Sequence, residues 1–331
     1  MFDLVIPTVG RESLAPLLDA LAASDGPRPD RVIVVDDRRD RSRPLEVASR
    51  DDVDVLEGRG AGPAAARNVG WRASDAPWVV FVDDDVVPTD SWLTDLETDL
   101  STAALDVVAV QGRVSVPLPA GRRPTDWERN VTGLESARWI TADMAVRRSA
   151  LEKVDGFDER FPRAYREDAD LALRLQAEGG KLAMGGRRMT HPVRPAPWWV
   201  SLRLQAGNRD DVLMAALHGR RWQGDDAPAG RRRRHLLTTA CGVAGLAGLA
   251  MRQPVVWRAG LAGWAVGTTE LAVARIVPGP RTPAEVGAMV ATSVALPPVA
   301  SWHWLAARVT RRRLLKSPGP MPELSSSSRP A

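Results

Sequence analysis

The chain has 331 residues, 44% of them hydrophobic and 26% charged, a composition typical of a globular protein with a full α/β domain and a smaller second region. Its single cysteine, Cys241, excludes an intramolecular disulfide and fits a reducing compartment. The net charge is only +4, but acids crowd the first half, whereas arginines crowd residues 187–234 and the tail from residue 308. This asymmetry favours a partner that carries phosphates or an anionic membrane surface, with solvated arginine faces as the plain alternative.

A predicted strand occupies residues 2–6, directly at the start of the chain, and ends at Pro7 and Thr8. Because no basic segment followed by an apolar one precedes it, we expect no signal peptide and a catalytic half that stays in the cytoplasm.

Strands and helices then alternate over the first hundred residues, which predicts a doubly wound, mostly parallel sheet flanked by helices. In chain order, the predicted segments are a helix over residues 12–23, a strand over 31–35, a weaker strand around 53–55, a helix over 62–74, a strand over 78–82 and a helix over 89–100, the last with Thr89 or Asp90 as N-cap.

Carboxylates follow two of these strands where each strand ends. Asp36 and Asp37 follow the second strand, and three consecutive aspartates, residues 83–85, follow the apolar run of residues 79–82. Since the ends of parallel strands share one edge, where open α/β sheets bind ligands, we expect these acids to lie close together. Adjacent acids need a counter-charge, which Mg²⁺ or Mn²⁺ carrying substrate phosphates would supply. A polar loop with an Asp turn is the alternative.

The motifs of two common nucleotide sites do not fit. The pattern G-x-x-x-x-G-K-[ST] of a P-loop does not occur in the sequence. Residues 58–63 follow a strand and open a helix, as a dinucleotide fingerprint does, but Pro63 stands where the third glycine or alanine belongs. We therefore do not expect classical NAD binding.

Beyond residue 106 the pattern changes. Strands are predicted over residues 107–116 and over 139–146, where Asp143 interrupts the apolar run, and again over 181–184. Three acids, Glu167, Asp168 and Asp170, open a helix. Acids in a first turn also favour the helix dipole, so simple capping is the alternative to a catalytic role.

Five motifs, in order across residues 3–190, together resemble a family 2 glycosyltransferase of the GT-A fold. They are the first strand and turn at residues 5–11, the acids after the second strand at 34–37, the A-R-N-x-G helix at 62–70, the D-x-D motif at 81–85, and the G-F-D-E and E-D pair at 156–159 and 167–168.

The resemblance implies transfer of a sugar from a nucleoside-diphosphate donor, with inversion at the anomeric carbon and with Mg²⁺ or Mn²⁺. The implied metal ligands are Asp83, Asp85 and His191, although a lone histidine is as often a surface residue. The implied donor-binding residues are Pro7, Thr8, Asp36, Asp37, Arg67, Asn68, Asp83 and Asp84. For Arg67, a contact with the donor diphosphate competes with a surface ion pair.

On the acceptor side, the resemblance implies that Asp168 is the general base and that Glu167 orients the base or the acceptor. The helix N-terminus should keep Asp168 ionised. Asp143 is the candidate acceptor-side residue. The family's Q-x-x-R-W motif is not evident, and residues 205–211, which fall where it would lie, have no assigned role.

The C-terminal third has three apolar stretches, at residues 236–251, 255–277 and 284–307, and we expect Pro297 and Pro298 to interrupt the last. Small residues dominate them, as at helix interfaces in membranes. Three spans would place arginines 231–234 and 311–313 on opposite sides, so two spans or interfacial helices fit the positive-inside rule better. A soluble helical bundle is the alternative.

The sequence therefore predicts four regions: a GT-A glycosyltransferase domain over residues 1–220, a basic linker over 221–235, an apolar, membrane-associated helical region over 236–310, and a basic, then disordered, tail over 311–331. The predicted function is glycosyl transfer at the cytoplasmic face of the cell membrane, in the synthesis of a cell-surface glycan or glycolipid. A nucleotidyltransferase and a non-catalytic glycan-binding protein are the alternatives, and no nucleic-acid partner is expected. The donor sugar, the nucleotide and the acceptor are not readable from the sequence.

Overall fold

A computed structural model describes residues 1–224 and 230–316 of the chain. Residues 317–331, the part of the tail predicted to be disordered, lie outside the described residues, as do residues 225–229 of the predicted linker.

The described residues contain one eight-stranded sheet in the order β3-β2-β1-β4-β7-β6-β8-β5. The strands are β1 (Phe2–Thr8), β2 (Arg31–Asp36), β3 (Asp54–Glu57), β4 (Trp78–Val82), β5 (Val87–Pro88), β6 (Val107–Ser115), β7 (Asp143–Arg147) and β8 (Lys181–Thr190). The first four form the predicted parallel half. Beyond β4 the sheet is mixed, because β7 runs antiparallel to both of its neighbours.

Helices cover this sheet and continue into the C-terminal third. They are α1 (Leu14–Ala23), α2 (Pro63–Arg72), α3 (Trp92–Ser101), α4 (Asp126–Val131), α5 (Arg148–Val154), α6 (Glu167–Ala177), α7 (Val200–Leu204), α8 (Asn208–Leu217), α9 (Arg232–Ala250), α10 (Pro254–Ile276), α11 (Pro283–Val309) and α12 (Arg311–Leu314). The predicted α/β architecture is confirmed. Buried apolar residues form a core on each face of the sheet.

Two predictions about the helices are wrong, one about the start of α3 and one about a break within α11. The helix predicted from residue 89 begins at Trp92 with Ser91 as N-cap, because the backbone N–H of Thr89 donates to the carbonyl of Arg188 beside the short β5–β8 pair. Pro297 and Pro298 do not interrupt α11. Neighbouring helices pack around this part of α11, so tertiary contacts outweigh the low helix propensity of proline.

The C-terminal helices form a unit that rests on the first domain. Helices α9 and α10 pack so closely that a Cβ on Gly260 would lie 2.4 Å from the backbone of Gly245. Arg275 of α10 pairs with Asp126 of α4 at 2.8 Å, and α11 packs against α8. In the described part of the chain, α11 is the one helix that meets the length and hydropathy criteria for a membrane span, and 39% of its apolar window is buried within the protein. A core helix of a soluble protein can meet the same criteria.

The two arginine groups of this unit lie at the same end. The guanidinium groups of Arg232 and Arg308 both lie over the ring of Trp304, at 5.4 and 4.7 Å from its centroid. Helix α11 therefore returns its C-terminal end to the start of α9. Arginines 231–234 and the C-terminal end of α11 therefore do not lie on opposite sides of this unit, as three spans would require.

Asp143 lies inside the sheet, so the structure contradicts its assignment as an acceptor-side residue. Its side chain and that of Arg187 are both 0% exposed, and the two pair at 2.7 Å. Trp92 donates from Nε1 to the other carboxylate oxygen at 2.9 Å. A Cβ on Gly112 would lie 2.1 Å from Asp143 Oδ2, so the glycine makes room for this pair. Asp143, which interrupts the apolar run in the sequence, therefore forms a structural ion pair, and its contacts link β7, β8 and α3.

Replacing Asp143 with Asn should lower the free energy of unfolding by about 3 kcal/mol, because it leaves the buried charge of Arg187 only partly compensated. Urea unfolding measures this loss. The matched control is Asp155→Asn, which breaks an exposed pair with Arg72 at 2.8 Å and should cost less than about 1 kcal/mol. Equal stabilities of the two variants would contradict the structural role of Asp143.

Candidate active site

A cavity of about 1010 Å³ opens at the carboxyl ends of β1 and β4 and extends to the C-terminal helices. Ten of the predicted site residues line it, namely Pro7, Thr8, Asp37, Arg67, Asp83, Asp84, Asp85, Glu167, Asp168 and His191. The carboxyl ends of β1 and β4 lie side by side because these strands pair in parallel. The prediction that the acids share one edge of the sheet is confirmed.

The three consecutive aspartates have three different partners. Asp83 pairs with Arg67 at 2.7 Å, and Asp85 pairs with Arg194 at 2.9 Å. Asp84 is fully buried, accepts a hydrogen bond from the Thr8 hydroxyl at 2.6 Å and pairs with Arg11. Burial raises the pKa of Asp84, although Arg11 and Thr8 oppose that shift. Asp84 therefore ties the β1 turn to the end of β4, whereas its two neighbours face the cavity.

Asp85 and His191 are suited to share a divalent cation. The His191 Nε2 atom lies 3.6 Å from Asp85 Oδ1, which is too far for a hydrogen bond. Adjacent ligands of an octahedral ion with ligand distances of about 2.1 Å are roughly 3 Å apart, so the observed separation is near that spacing. No three His, Cys, Asp or Glu side chains converge into a ready-made site among the described residues. A cation here would need further oxygens, which donor phosphates supply in sites of this kind.

Arg67 is a buried cation between two carboxylates, not part of a surface ion pair. Its guanidinium donates to Asp83 at 2.7 Å and to Glu167 at 3.0 Å. Arg67 Nε and Glu167 Oε2 have no hydrogen-bond partner within the part of the chain described. Burial, and then the neighbouring charge of Asp168, raise the pKa of Glu167.

Asp168 follows Glu167 in the first turn of α6. The backbone N–H of Ala169 donates to Asp168 Oδ1 at 2.7 Å, and α6 has no side-chain cap on its N-terminus. Asp168 therefore binds one free N–H of the first turn of α6 and also lines the cavity. Burial raises the pKa of Asp168, which is opposite to the expected effect of the helix dipole, because desolvation outweighs the favourable contacts.

Two predicted donor-binding residues do not line the cavity. Arg38 donates to both carboxylate oxygens of Asp36, at 2.8 and 2.7 Å. The Asn68 side chain bonds both the N–H and the carbonyl of Phe157, at 2.8 and 2.9 Å. Asn68 thus fixes the turn at Phe157, which follows α5, whereas the side chain of the adjacent Arg67 lines the cavity.

Asp37 is also occupied, although it lines the cavity. It accepts hydrogen bonds from the backbone N–H groups of Gly60 and Gly62, at 2.7 and 2.8 Å. This carboxylate orders the glycine-rich segment that opens α2.

Several lining residues were not predicted from the sequence. Arg11 and Arg194 pair with the aspartates. From the C-terminal helices, Leu271, Arg275 and Leu296 line the far end of the cavity. The three consecutive aspartates, residues 83–85, indicate that arginine partners are needed. The spacing of arginines in the sequence does not identify which of them pair with these aspartates.

The N-terminal half of the chain is similar to known glycosyltransferases. Residues 3–161 match the family model described as "Glycosyl transferase family 2". Two curated Mycobacterium tuberculosis proteins, each a "Pre-mycofactocin glycosyltransferase", are 34% identical over 172 residues, which cover 46% of this chain and 35% of theirs. The chain therefore spans about a third of the length of these relatives.

The solved structures that match this chain have lower sequence identity than the curated relatives. S. aureus TarS in complex with UDP-GlcNAc is 14% identical, with 94% of this chain and 91% of that chain covered and a TM-score of 0.48. GalNAc-T7 with UDP, GalNAc and Mn²⁺ is 15% identical, with 66% and 50% covered and a TM-score of 0.47.

Replacing Asp85 or His191 with Ala should weaken Mn²⁺-dependent binding of a nucleoside diphosphate at least about tenfold, because each variant removes one of the two side chains placed to hold the cation. Asp83→Ala should also weaken binding, since it leaves Arg67 without its cavity-side partner. Titration calorimetry with and without Mn²⁺ measures the effect. His218→Ala, a histidine outside the cavity lining, is the control. Unchanged affinity in both Asp85→Ala and His191→Ala would remove the metal assignment.

Proposed function

We propose that this chain, whose residues 3–161 match the model of glycosyl transferase family 2, transfers a sugar from a nucleoside-diphosphate donor to a hydroxyl acceptor, with inversion at the anomeric carbon. One observation carries the proposal. The carboxylate of Asp168, the acids at the end of β4 and the buried cation Arg67 face a single cavity.

The donor diphosphate would lie near Asp83, Asp85 and His191. A bound Mg²⁺ or Mn²⁺ would act as a Lewis acid and neutralise the leaving diphosphate. Arg194 is half-exposed and pairs with Asp85, so it is free to move when phosphates arrive. Arg67 holds the Asp83 carboxylate in place, which preorganises the site before the donor binds.

Asp168 would take the proton of the acceptor hydroxyl as that oxygen attacks the anomeric carbon. A raised pKa suits this role, because the most effective base has a pKa close to the working pH. Glu167 lies behind it, bonded to Arg67, and would orient the base instead of reacting. Inversion follows when the base and the leaving diphosphate lie on opposite faces of the sugar.

The two alternative functions are less well supported. A nucleotidyltransferase usually needs a glycine-rich first loop with free basic residues, but here Arg11 pairs with Asp84. A non-catalytic glycan-binding protein would have no use for the metal-site acids or the base, and all of them line the cavity.

The acceptor would enter from the side of the C-terminal helices. That end of the cavity has an apolar wall that includes Trp127 of α4, Leu271 of α10 and Leu296 of α11. The curated relatives are named for pre-mycofactocin. Because the aligned part covers only 35% of their length, that acceptor is one candidate for this chain, beside a glycan or a lipid-linked acceptor.

The α9–α10 hairpin would attach the protein to the cytoplasmic face of the membrane, where a cell-surface glycan or glycolipid could be extended. The helices have 19 and 23 residues but do not meet the criteria for a membrane span, so the hairpin would lie in the headgroup interface with its apolar face buried. Leu246 and Val266 are representative of their exposed apolar side chains. The arginines at the hairpin base suit anionic lipid headgroups.

Asp168→Asn should abolish transfer and keep donor binding. The amide preserves the shape and removes the proton acceptor, and losing a general base costs roughly 10²–10⁴ in rate. Release of nucleoside diphosphate from a nucleotide sugar measures turnover, and calorimetry measures affinity on the same preparation. Asp155→Asn serves as the surface control. A near-normal rate in Asp168→Asn would refute the catalytic role and direct attention to Glu167.

The full chain should float with vesicles that contain anionic lipid, and less with neutral ones. Replacing both Leu246 and Val266 with Glu should reduce flotation at least about tenfold, because charge on the apolar face opposes insertion. The matched control is Leu105→Glu, at a leucine that is 94% exposed on the first domain. Equal flotation of both variants, or a full chain that stays unbound, would contradict membrane attachment.

A further inference from the structure

The turn that leads into α6 has a strained backbone. Arg166, directly before Glu167, has a φ of 80° and a ψ of −16°, a left-handed conformation that is unfavourable for a residue with a long side chain. Such conformations persist only where the surrounding structure holds them, and they concentrate at functional sites. Here the strained residue lies two positions before Asp168.

Contacts with the α8 side of the molecule hold this turn. Arg166 Nε donates to Asp211 Oδ1 of α8 at 2.8 Å, and its Nη2 donates to the Tyr165 hydroxyl at 2.7 Å. The same guanidinium lies 4.3 Å from the ring centroid of Tyr165 and 4.7 Å from that of Trp222. The side chain is thus held by an ion pair and by two aromatic rings.

A second set of contacts fixes the residues just before the turn. Arg163 pairs with Asp210 of α8 through both carboxylate oxygens, at 2.9 and 2.7 Å, and donates to the carbonyl of Ala206. Asp210 is only 1% exposed, so its carboxylate is buried beneath the partly exposed Arg163 side chain. A Cβ on Gly207 would lie 2.8 Å from a carbon of the Tyr165 ring, which explains the close approach of the two segments.

A third contact reaches α6 itself. His218, the residue after α8, lies with its Nε2 2.7 Å from Asp170 Oδ1. Contacts from the α8 side therefore flank Asp168, with Arg166 two residues before it and Asp170 two residues after it. The carboxylate of Asp168 itself faces the cavity.

We propose that α8 positions the catalytic base, because the Asp211–Arg166 ion pair holds the left-handed turn from which Asp168 enters the cavity. This gives a role to residues 205–211. The inference rests on the proposed function, since Asp168 is a base only in that reaction. In this scheme Asp211 is a positioning residue and does not touch the reacting atoms.

Two variants, Asp211→Asn and Arg166→Gly, test the proposal in the full chain. The assay is Mn²⁺-dependent release of nucleoside diphosphate from the best-hydrolysed member of a UDP-, GDP- and dTDP-sugar panel, with water as the acceptor. Water removes any effect on acceptor binding. Calorimetry with the matching nucleoside diphosphate gives the affinity and the fraction of competent sites.

We expect Asp211→Asn to lower kcat per competent site roughly 10- to 100-fold, since a small misplacement of a reacting group can cost about 10²-fold. Nucleotide affinity should stay within about twofold. Glycine adopts the left-handed conformation freely, so Arg166→Gly keeps the backbone conformation but loses the ion pair together with the contacts to Tyr165 and Trp222. It should lower kcat at least as far as Asp211→Asn, and the double variant should fall no further than Arg166→Gly, because the Asp211 contact is already lost in that variant. Asp211→Glu should restore part of the rate.

The matched control is Asp155→Asn. Asp155 also has a positive φ, of 56°, and also pairs with an arginine, Arg72, but at an exposed site outside the cavity lining. It should keep the wild-type kcat.

A wild-type kcat in Asp211→Asn, or a fall in kcat matched by an equal fall in nucleotide affinity, would overturn the role of α8. These results are distinguishable from a failure of the proposed function. An active Asp168→Asn variant refutes the base itself, whereas an inactive Asp168→Asn beside a normal Asp211→Asn refutes only the positioning role.

Discussion

The candidate site depends on one buried cation. Arg67 of α2 is in contact with the end of β4 through Asp83 and with the start of α6 through Glu167. A buried guanidinium is stable only with compensating acidic groups, here the buried Glu167 and the partly exposed Asp83. These contacts hold the end of β4 and the start of α6 together at the cavity. Asn68, the next residue along α2, bonds the backbone of Phe157 in the turn after α5 and adds a neutral contact between α2 and that turn.

The parts of this arrangement that follow from local sequence could be predicted. Apolar runs ending in aspartates correctly located β2 and β4, and the shared edge followed from the parallel pairing. Asp168 could be recognised from its place in a helix opening, but the direction of its pKa shift could not. Helix position favours ionisation, whereas burial disfavours it, and burial depends on how distant segments pack around the side chain.

Residues with several possible partners were the hardest to assign from the sequence. Asp143 interrupts an apolar run, which is as typical of an active-site acid as of a buried ion pair, and only Arg187, 44 positions away, decides between them. Asp36 lies at a ligand-binding edge but has Arg38 two residues on. Pro297 and Pro298 remained helical because α11 packs among its neighbours. In each case a tertiary contact, absent from any local pattern, outweighs the local preference.

The C-terminal helices belong to the site and are not an appended anchor. Arg275 bonds Asp126 of α4 and the hydroxyls of Thr292 and Ser293 on α11, and it lines the same cavity as the acids. Helix α11 packs on α8 and also on α9 and α10, so it connects the hairpin that would attach the protein to a membrane with the element that would hold the base. An acceptor that enters beside these helices would meet a wall that includes Leu296 of α11, so attachment and chemistry would share one packed structure.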